Sequence, residues 1–196
     1  MPFTPSGAQR ASRRHTLGLA LTVALGLLVT VAPSGAQALS AQYPTVEAYY
    51  LRLLNCTRTG GWVRSDGSCA GYGSGRYSAY VPPIKSHSGI AAYVARPYAK
   101  LLAVRGLCSH YANGDPASRL RKAGYTGYTW GENIGCRNGY TNLYKAVLAS
   151  HLVFQSERST NGGHWRNMKN PRFTYVGIGV WYYAKRVRLV TDFYRP

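Results

Sequence analysis

Two runs near the end of the chain alternate between apolar and small or polar residues, and they limit the folds open to it. Val176, Ile178 and Val180 are separated by glycines, and within the second run arginines alternate with Val187 and Leu189. Successive side chains of a strand point to opposite faces, so this period of two predicts two strands. Because few residues separate the runs, we expect an antiparallel hairpin.

Apolar residues earlier in the chain recur at helical spacing. They predict helices at about 45–56, 86–105, 115–124 and 141–157. Thr45 and Asp115 can cap the first and third of these helices, and Pro97 should kink the second or begin a new segment within it. Helices followed by strands predict an α+β domain.

The N-terminal segment has the pattern of a secretory signal peptide. Three arginines precede an uncharged run at 16–32, and small residues stand at Ala36 and Ala38. We expect a signal peptide over 1–38, with cleavage after Ala38; an uncleaved N-terminal anchor is the alternative. Residues 39–196 should then form a single exported, extracellular domain, and no second apolar stretch of spanning length follows.

All four cysteines lie in the exported part. Export and an even count favour two disulfides over zinc ligation. Three pairings are open from the sequence. We prefer Cys56 with Cys69 and Cys108 with Cys136, because each pair closes a loop containing glycine and other turn residues. The first bridge would staple an irregular segment at 60–83 that is rich in glycine, serine and tyrosine.

The chain is strongly basic. It has 24 lysines and arginines against six aspartates and glutamates, for a formal net charge of +18 at pH 7. Such a charge attracts anionic surfaces, including wall polymers, lipid head groups and nucleic acid. It does not select among them, and no motif for specific nucleic-acid recognition accompanies it.

The few acidic residues differ in their surroundings. Asp115 and Glu47 have structural interpretations, as a helix cap and as a residue of a helix's first turn. Glu132 stands between a glycine and an asparagine beside apolar residues, where a carboxylate that only aids solubility is unusual. Glu157 ends the apolar stripe of the fourth predicted helix and should continue its inward face.

The histidines also divide into two groups. His151 lies in the middle of a predicted helix and should pack in the core, and His87 should lie near a helix start. His110 follows a cysteine at a helix-to-loop transition. His164 follows two glycines that should let the backbone turn tightly before the hairpin. These last two are the candidates for a cleft, although spacing alone does not join them to Glu132 and Glu157.

Four motifs in order do join them. They are "CSHYANGDPASRLRKAGY", "GENIG", "FQSE" and "GGHWRNMKNPRFTYVGIGV". They resemble, in order and separation, the CAP superfamily of cysteine-rich secretory proteins, antigen 5 and pathogenesis-related proteins, and the bacterial branch most of all. The resemblance covers roughly 46–196.

The resemblance implies a fold and a site. The fold is a three-layer α-β-α sandwich with an antiparallel sheet. The site is a tetrad facing a central cleft, carried here by His110, Glu132, Glu157 and His164, in which the two histidines hold a divalent metal, often zinc. Phe154 stands where many members have tryptophan before the second glutamate. With two imidazoles as ligands, metal binding should be weak and reversible.

Three functions follow as hypotheses. The first is a secreted binding module whose cleft recognises a lipid, a peptide or a cell-wall fragment. The second is a metal-assisted hydrolase of peptide or wall material, in which Glu132 or Glu157 would act as general base. The third is an adhesin for anionic polymers that uses cations near the predicted cleft rim. These cations are Arg158, Arg166, Lys169, Arg172, Lys185, Arg186 and Arg188.

Overall fold

The computed structural model describes residues 37–127 and 129–196. The predicted signal peptide, apart from its last two residues, lies outside these ranges, so its prediction stays open. Within the described ranges, no helix is both long enough and apolar enough to cross a membrane.

Helices and strands alternate along the chain before it ends in a hairpin. The helices are α1 (Pro44–Arg58), α2 (Ser88–Ile90), a π-helix (Ala91–Ala95), α3 (Arg96–Arg105), α4 (Pro116–Lys122), α5 (Leu143–Ser156), a 3-10 helix (Glu157–Thr160) and α6 (Gly163–Lys169). The strands are β1 (Trp62–Val63), β2 (Cys69–Ala70), β3 (Lys85–Ser86), β4 (Thr129–Asn138), β5 (Tyr175–Tyr183) and β6 (Arg186–Arg195). The predicted α+β class is confirmed.

The helix starts follow local chemistry, with one correction. Asp115 caps α4 by accepting a hydrogen bond from the Ser118 amide at 2.8 Å, as expected. Thr45 does not cap α1, because the helix already begins at Pro44. A proline suits the first helical position, since its fixed φ fits the helix and its missing N–H would have no partner there.

Pro97 has the predicted effect on the second helix. A π-helix occupies Ala91–Ala95, and α3 begins at Arg96 with Pro97 in its first turn. Proline has no N–H to donate to the carbonyl four residues back, which favours a change of helix type at this point. The segment ends at Gly106, where φ is 70°.

The main sheet has four strands in the order β3-β5-β6-β4. Strands β5 and β6 form the predicted antiparallel hairpin, with Gly177 opposite Asp192, and β6 also pairs antiparallel with β4. The short strand β3 is parallel to β5, so the sheet is mixed rather than wholly antiparallel. Strand β4, which carries Glu132, is an element that alternation does not predict.

The alternation in β5 separates two helical layers. A Cβ on Gly177 would lie 2.4 Å from Ile90 Cγ2, and one on Gly179 would lie 2.5 Å from the Ala95 backbone. Helix backbone therefore packs directly on this face of the sheet. Val176 and its apolar neighbours on the other face belong to the main core with residues of α1 and α5. The predicted three-layer α-β-α arrangement is confirmed.

Both preferred disulfide pairings are confirmed. Cys56 is bonded to Cys69, and Cys108 is bonded to Cys136. The first bridge joins the end of α1 to the irregular segment around β1 and β2. The second ties the chain after α3 to strand β4, which places His110 beside that strand. A bridge of this kind adds about 2–4 kcal/mol of stability.

Candidate functional site

His110 and Glu132 form the first polar pair of the site. His110 lies in the loop before α4, and its Nδ1 is 2.7 Å from Oε1 of Glu132 in β4. The Glu132 side chain is 1% exposed, whereas that of His110 is 40% exposed. An ionised carboxylate can only accept hydrogen bonds, so we assign the ring proton to Nδ1. The Nε2 atom of His110 is then the nitrogen that can bind a ligand.

Arg119 of α4 donates hydrogen bonds to both residues of this pair. Its Nη2 donates to Oε2 of Glu132, and its Nη1 donates to the carbonyl of His110 at 2.9 Å. The guanidinium carbon lies 3.5 Å from the ring centroid of Tyr98, which packs against it. Arg119 thus neutralises the buried carboxylate and fixes the backbone of the histidine. No sequence pattern separates it from the other arginines of the chain.

His164 and Glu157 form the second pair. The His164 Nδ1 is 2.5 Å from Oε1 of Glu157, and its main-chain amide donates to Oε2 at 2.8 Å. Burial alone would raise the pKa of Glu157, but the hydrogen bonds and charge of His164 outweigh it and lower that pKa. The side chains are 29% and 26% exposed, so this pair is more open to solvent than Glu132.

The local backbone around the second pair differs from the expectation. His164 is the second residue of α6, not part of a turn leading straight into the hairpin. Glu157 begins the 3-10 helix just beyond α5 rather than continuing its inward face. A Cβ on Gly162 would lie 2.5 Å from Oε2 of Glu157, whereas one on Gly163 would meet nothing within 4 Å. Only the first glycine is therefore required by the pair.

Phe154 supports His164 from α5. The two rings are stacked, with centroids 4.4 Å apart and an interplanar angle of 22°. Phe154 is buried, so it presents one flat face to the imidazole. Phe154 therefore supplies an aromatic ring beneath His164, at the position where the resemblance implies tryptophan in many relatives.

Two asparagines connect the pairs. Asn133 donates to the carbonyl of His164 at 3.1 Å. Asn167 donates to the carbonyl of Glu132 at 3.1 Å and to Oδ1 of Asn133 at 2.9 Å. Because neighbouring residues of a strand point to opposite faces, Glu132 meets α4 while Asn133 meets α6. The four tetrad candidates thus lie in two His–Glu pairs joined through β4.

The donor set fits a metal only in part. In the described part of the chain, no group of three or more histidine, cysteine, aspartate or glutamate side chains is arranged to hold an ion. Both glutamates already accept from a ring Nδ1, so the ligands that remain are Nε2 of His110 and Nε2 of His164. A carboxylate behind a histidine fixes the ring orientation and raises its basicity. Each of these two nitrogens could serve as one ligand of a divalent cation.

Two of the cations expected at the cleft rim are structural. Lys169 Nζ donates to the carbonyls of Thr57, Arg58 and Ala79 at 3.0, 2.8 and 2.6 Å. Arg188 is buried and donates to the carbonyl of Leu107 at 2.7 Å. The prediction that these two residues are binding cations at the cleft rim is wrong, because their charged groups donate hydrogen bonds to backbone carbonyls. Exposed positions remain at Arg158, Arg166, Arg172 and Lys185.

The other histidines have the structural places expected of them. His151 is fully buried, with Nε2 2.9 Å from Oγ1 of Thr57. Burial lowers its pKa to about 3. His87 caps α2, where its Nδ1 accepts from the Ile90 amide at 3.2 Å. Neither residue contributes to the site.

Sequence comparisons give no relative. No family model matches the chain, and no curated protein matches it. Similar solved structures do exist. The chain matches NaASP2, solved with Zn²⁺, at 15% identity and a TM-score of 0.50 over 83% of both chains.

Two further structures are similar in part. An extracellular protein containing an SCP domain from Bacillus anthracis matches at 23% identity and a TM-score of 0.47, over 59% of this chain. This chain spans about a third, 35%, of that protein's length. The hookworm platelet inhibitor matches at 11% identity and a TM-score of 0.47, over 83% of this chain and 76% of its own. The likeness to NaASP2 supports the fold and, at such identity, the fold alone. The chain therefore shares the fold of NaASP2, in agreement with the α-β-α sandwich that the resemblance of its four motifs implies.

Proposed function

We propose that this chain is a secreted binding module in which His110 and His164 hold a divalent cation, with zinc as the first candidate. In the cleft that the family resemblance implies beside these residues, the module would bind a lipid, a peptide or a cell-wall fragment. The two disulfides of the chain support an extracellular role. The polar pairs support the metal part of the proposal.

The observation that carries the proposal is the shared geometry of the two pairs. In each pair Nδ1 of an imidazole meets Oε1 of a glutamate, at 2.7 Å for His110 and at 2.5 Å for His164. Each ring thus keeps its proton on Nδ1, which leaves the lone pair of Nε2 available to coordinate a metal ion. A histidine oriented by a carboxylate is the usual form of a histidine metal ligand in proteins. NaASP2, of similar fold, was solved with Zn²⁺, which makes zinc the ion to try first.

The engaged glutamates favour binding over hydrolysis. A bound divalent cation would supply a Lewis-acid centre. A general base, however, needs a carboxylate that can reach a reacting proton. Glu132 accepts from both His110 and Arg119, and Glu157 accepts twice from His164. We therefore assign both glutamates an orienting role.

Isothermal titration with zinc chloride tests the proposal. The purified chain should bind one zinc ion weakly, and binding should weaken below about pH 6 as imidazoles protonate. The His110→Ala, His164→Ala double variant should lose this binding. His87→Asn is the control, because it removes a histidine outside the site while keeping a capping side chain. Equal zinc binding by the double variant and the wild type would refute the proposal.

A second candidate function rests on the charge of the surface. Within residues 37–127 and 129–196, the arginines that form ion pairs with carboxylates are Arg96 and Arg119. The exposed cations near α6 therefore have no acidic partner in this part of the chain. Unpaired surface cations attract polyanions through a field that salt screens. Anionic polymers of the cell surface are thus a second class of partner.

A further inference from the structure

Asp192 has a carboxyl group that the site described so far does not use. It lies in β6, is 0% exposed, and neither of its oxygens receives a hydrogen bond from the described residues. An ionised carboxylate buried without a partner is strongly unfavourable. Either a proton or a nearby donor must satisfy this group.

The sheet register places Asp192 directly opposite Glu132. Residues directly opposite in an antiparallel pair have Cβ atoms about 4.5–5.5 Å apart and point to the same face. The two carboxyls therefore lie side by side beneath α3 and α4. The groups that act on Asp192 from the helices over this face are Arg119 from α4 and Tyr98 from α3, with His110 beyond Glu132. Arg188 and Tyr194 of β6 lie on the same face of the sheet.

The partners of the two carboxyls are unequal. Glu132 receives hydrogen bonds from the His110 ring and from Arg119. The Nη1 of Arg119 is committed to the carbonyls of His110 and Gly114. Two adjacent carboxylates repel each other, so one of them keeps its proton. The charge stays on Glu132, which has two hydrogen-bond donors, and the proton stays on Asp192.

The electrostatics of the face agree with this assignment. Burial, and then the charge of Glu132, raise the pKa of Asp192 well above its ordinary value, and the charge of Arg119 opposes them without cancelling them.

We propose that Asp192 is protonated in the folded protein and donates a hydrogen bond to Glu132, which makes it a positioning residue for the His110–Glu132 pair. Each Glu132 oxygen has a second lone pair that can accept this bond. The carboxylate is then held by Asp192, Arg119 and His110 together, and the His110 ring keeps its proton on Nδ1. The consequence for metal binding rests on the proposed function; the hydrogen bond itself does not.

The second pair supplies an internal control. Glu157 is held by the ring and the amide of His164, and its side chain is 26% exposed. Its position in the 3-10 helix puts it outside the sheet that carries Asp192. Any effect of Asp192 on ring chemistry should therefore appear at His110 and not at His164.

Infrared difference spectroscopy of the metal-free protein tests the protonation. The spectrum of the wild type minus that of Asp192→Asn, both at pH 7, should contain the carbonyl band of a protonated carboxyl group. Asparagine is close in shape and can still donate to Glu132, so this variant should fold. A difference spectrum that contains only carboxylate bands would overturn the proposal.

Nitrogen-detected NMR of the imidazoles tests the positioning. In the wild type and in Asp192→Asn, His110 should show the tautomer with the proton on Nδ1. In Asp192→Leu, which lacks a donor, the His110 nitrogen shifts should move while those of His164 stay. If His110 is unchanged in the leucine variant, or if both histidines move alike, the positioning role is wrong. If the leucine variant does not fold, the infrared test still decides the protonation.

Zinc affinity measurements test whether Asp192 affects metal binding at His110. Loss of a group that orients a metal ligand through a carboxylate typically lowers affinity about 10–100-fold. Asp192→Leu should show such a loss, and Asp192→Asn should not. If the wild type binds no zinc, the proposed function fails. The infrared and NMR results on the metal-free protein would still support or refute the role of Asp192.

Discussion

His164 and Glu157 hold each other through two hydrogen bonds, one from the ring at 2.5 Å and one from the main-chain amide at 2.8 Å. Seven residues separate them, so this half of the site is built locally by the 3-10 helix and the start of α6. The other half joins His110 to a strand through a disulfide-anchored loop. The two halves should therefore respond to different changes.

Substitution at Gly162 should disturb the local half. A Cβ there would lie 2.5 Å from Oε2 of Glu157, so Gly162→Ala should displace the carboxylate and alter the His164 ring signals in NMR. Gly163→Ala is the matched control, because its Cβ would meet nothing within 4 Å and alanine favours the helix. Unchanged His164 signals in Gly162→Ala would show that the pair does not depend on this close approach.

Glu157 should contribute stability that depends on pH. Its pKa is lowered in the fold because the hydrogen bonds from His164 outweigh burial. A carboxyl pKa that is lower in the fold stabilises the folded state at pH values above the pKa of the same group in the unfolded chain. This contribution is lost as the pH falls through the pKa of the group in the folded protein. Glu157→Gln should therefore unfold at a lower temperature than the wild type at pH 7, and the gap should shrink below about pH 4.5. A gap of equal size at pH 7 and pH 3 would contradict this.

His151 should make the fold sensitive to acid. Burial lowers the pKa of His151 from its ordinary value of 6.5 to about 3. Between pH 6.5 and about pH 3 the unfolded chain therefore takes up a proton at this residue, whereas the folded chain does not. Stability should fall as pH drops through this window, at up to about 1.4 kcal/mol per pH unit. Urea unfolding of His151→Gln should show a flatter pH dependence than the wild type.

The histidine at the start of α2, His87, provides the comparison for this effect. His87 is half-buried at a helix cap, and His87→Asn should keep the wild-type slope. A similar slope in His151→Gln and the wild type would mean that other groups control the acid response.

Exposed cations should contribute to binding of anionic surfaces, whereas the cation at Lys169 should contribute to stability. Arg158→Gln with Arg166→Gln should elute from a cation-exchange column at lower salt and keep the wild-type unfolding temperature. Lys169→Met should instead lower the unfolding temperature, since it removes three hydrogen bonds to the carbonyls of Thr57, Arg58 and Ala79, each contributing about 0.5–1.5 kcal/mol. Burial, with the charges of Arg58 and Arg158, already lowers the pKa of Lys169 to about 8. Retention unaffected by the arginine changes would remove this surface from the proposal.

Local chemistry made much of the fold predictable. The hairpin β5–β6 follows from alternation, the start of α4 from Asp115, and the change of helix before α3 from Pro97. Each signal acts within a few residues, where propensity and capping dominate. The preferred disulfide pairing was also correct, and its basis was that each bridge closes a loop containing glycine and other turn residues.

Strand β4 and helix α6 were not predictable in this way. The buried stretch of β4 includes Glu132 and Asn133, whose partners come from α4, α6 and the loop before α4. The alternation of apolar and polar residues fails there because β4 buries polar side chains, whose hydrogen-bond partners come from distant segments of the chain. Helix α6 begins at a glycine with no side-chain cap, so its start resembles a turn.

The site was predictable only as a set of residue types. The family motifs identify His110, Glu132, Glu157 and His164 as tetrad candidates. They say nothing about the pairing of each ring with one carboxylate, or about Arg119 and Asp192. Arg119 lies within the first motif and Asp192 in the second strand of the hairpin, but neither position indicates which side chain the residue meets. Their roles arise from the register of β4 with β6 and from the placement of α4 over the sheet.

The most direct test of the central claim is a zinc titration of the protein followed by long-range proton–nitrogen NMR of its imidazoles. The account predicts that zinc shifts Nε2 of His110 and Nε2 of His164 together, at one stoichiometric equivalent, while each Nδ1 keeps its proton. Shifts at neither ring, or at only one of them, would contradict a metal site shared by the two histidines.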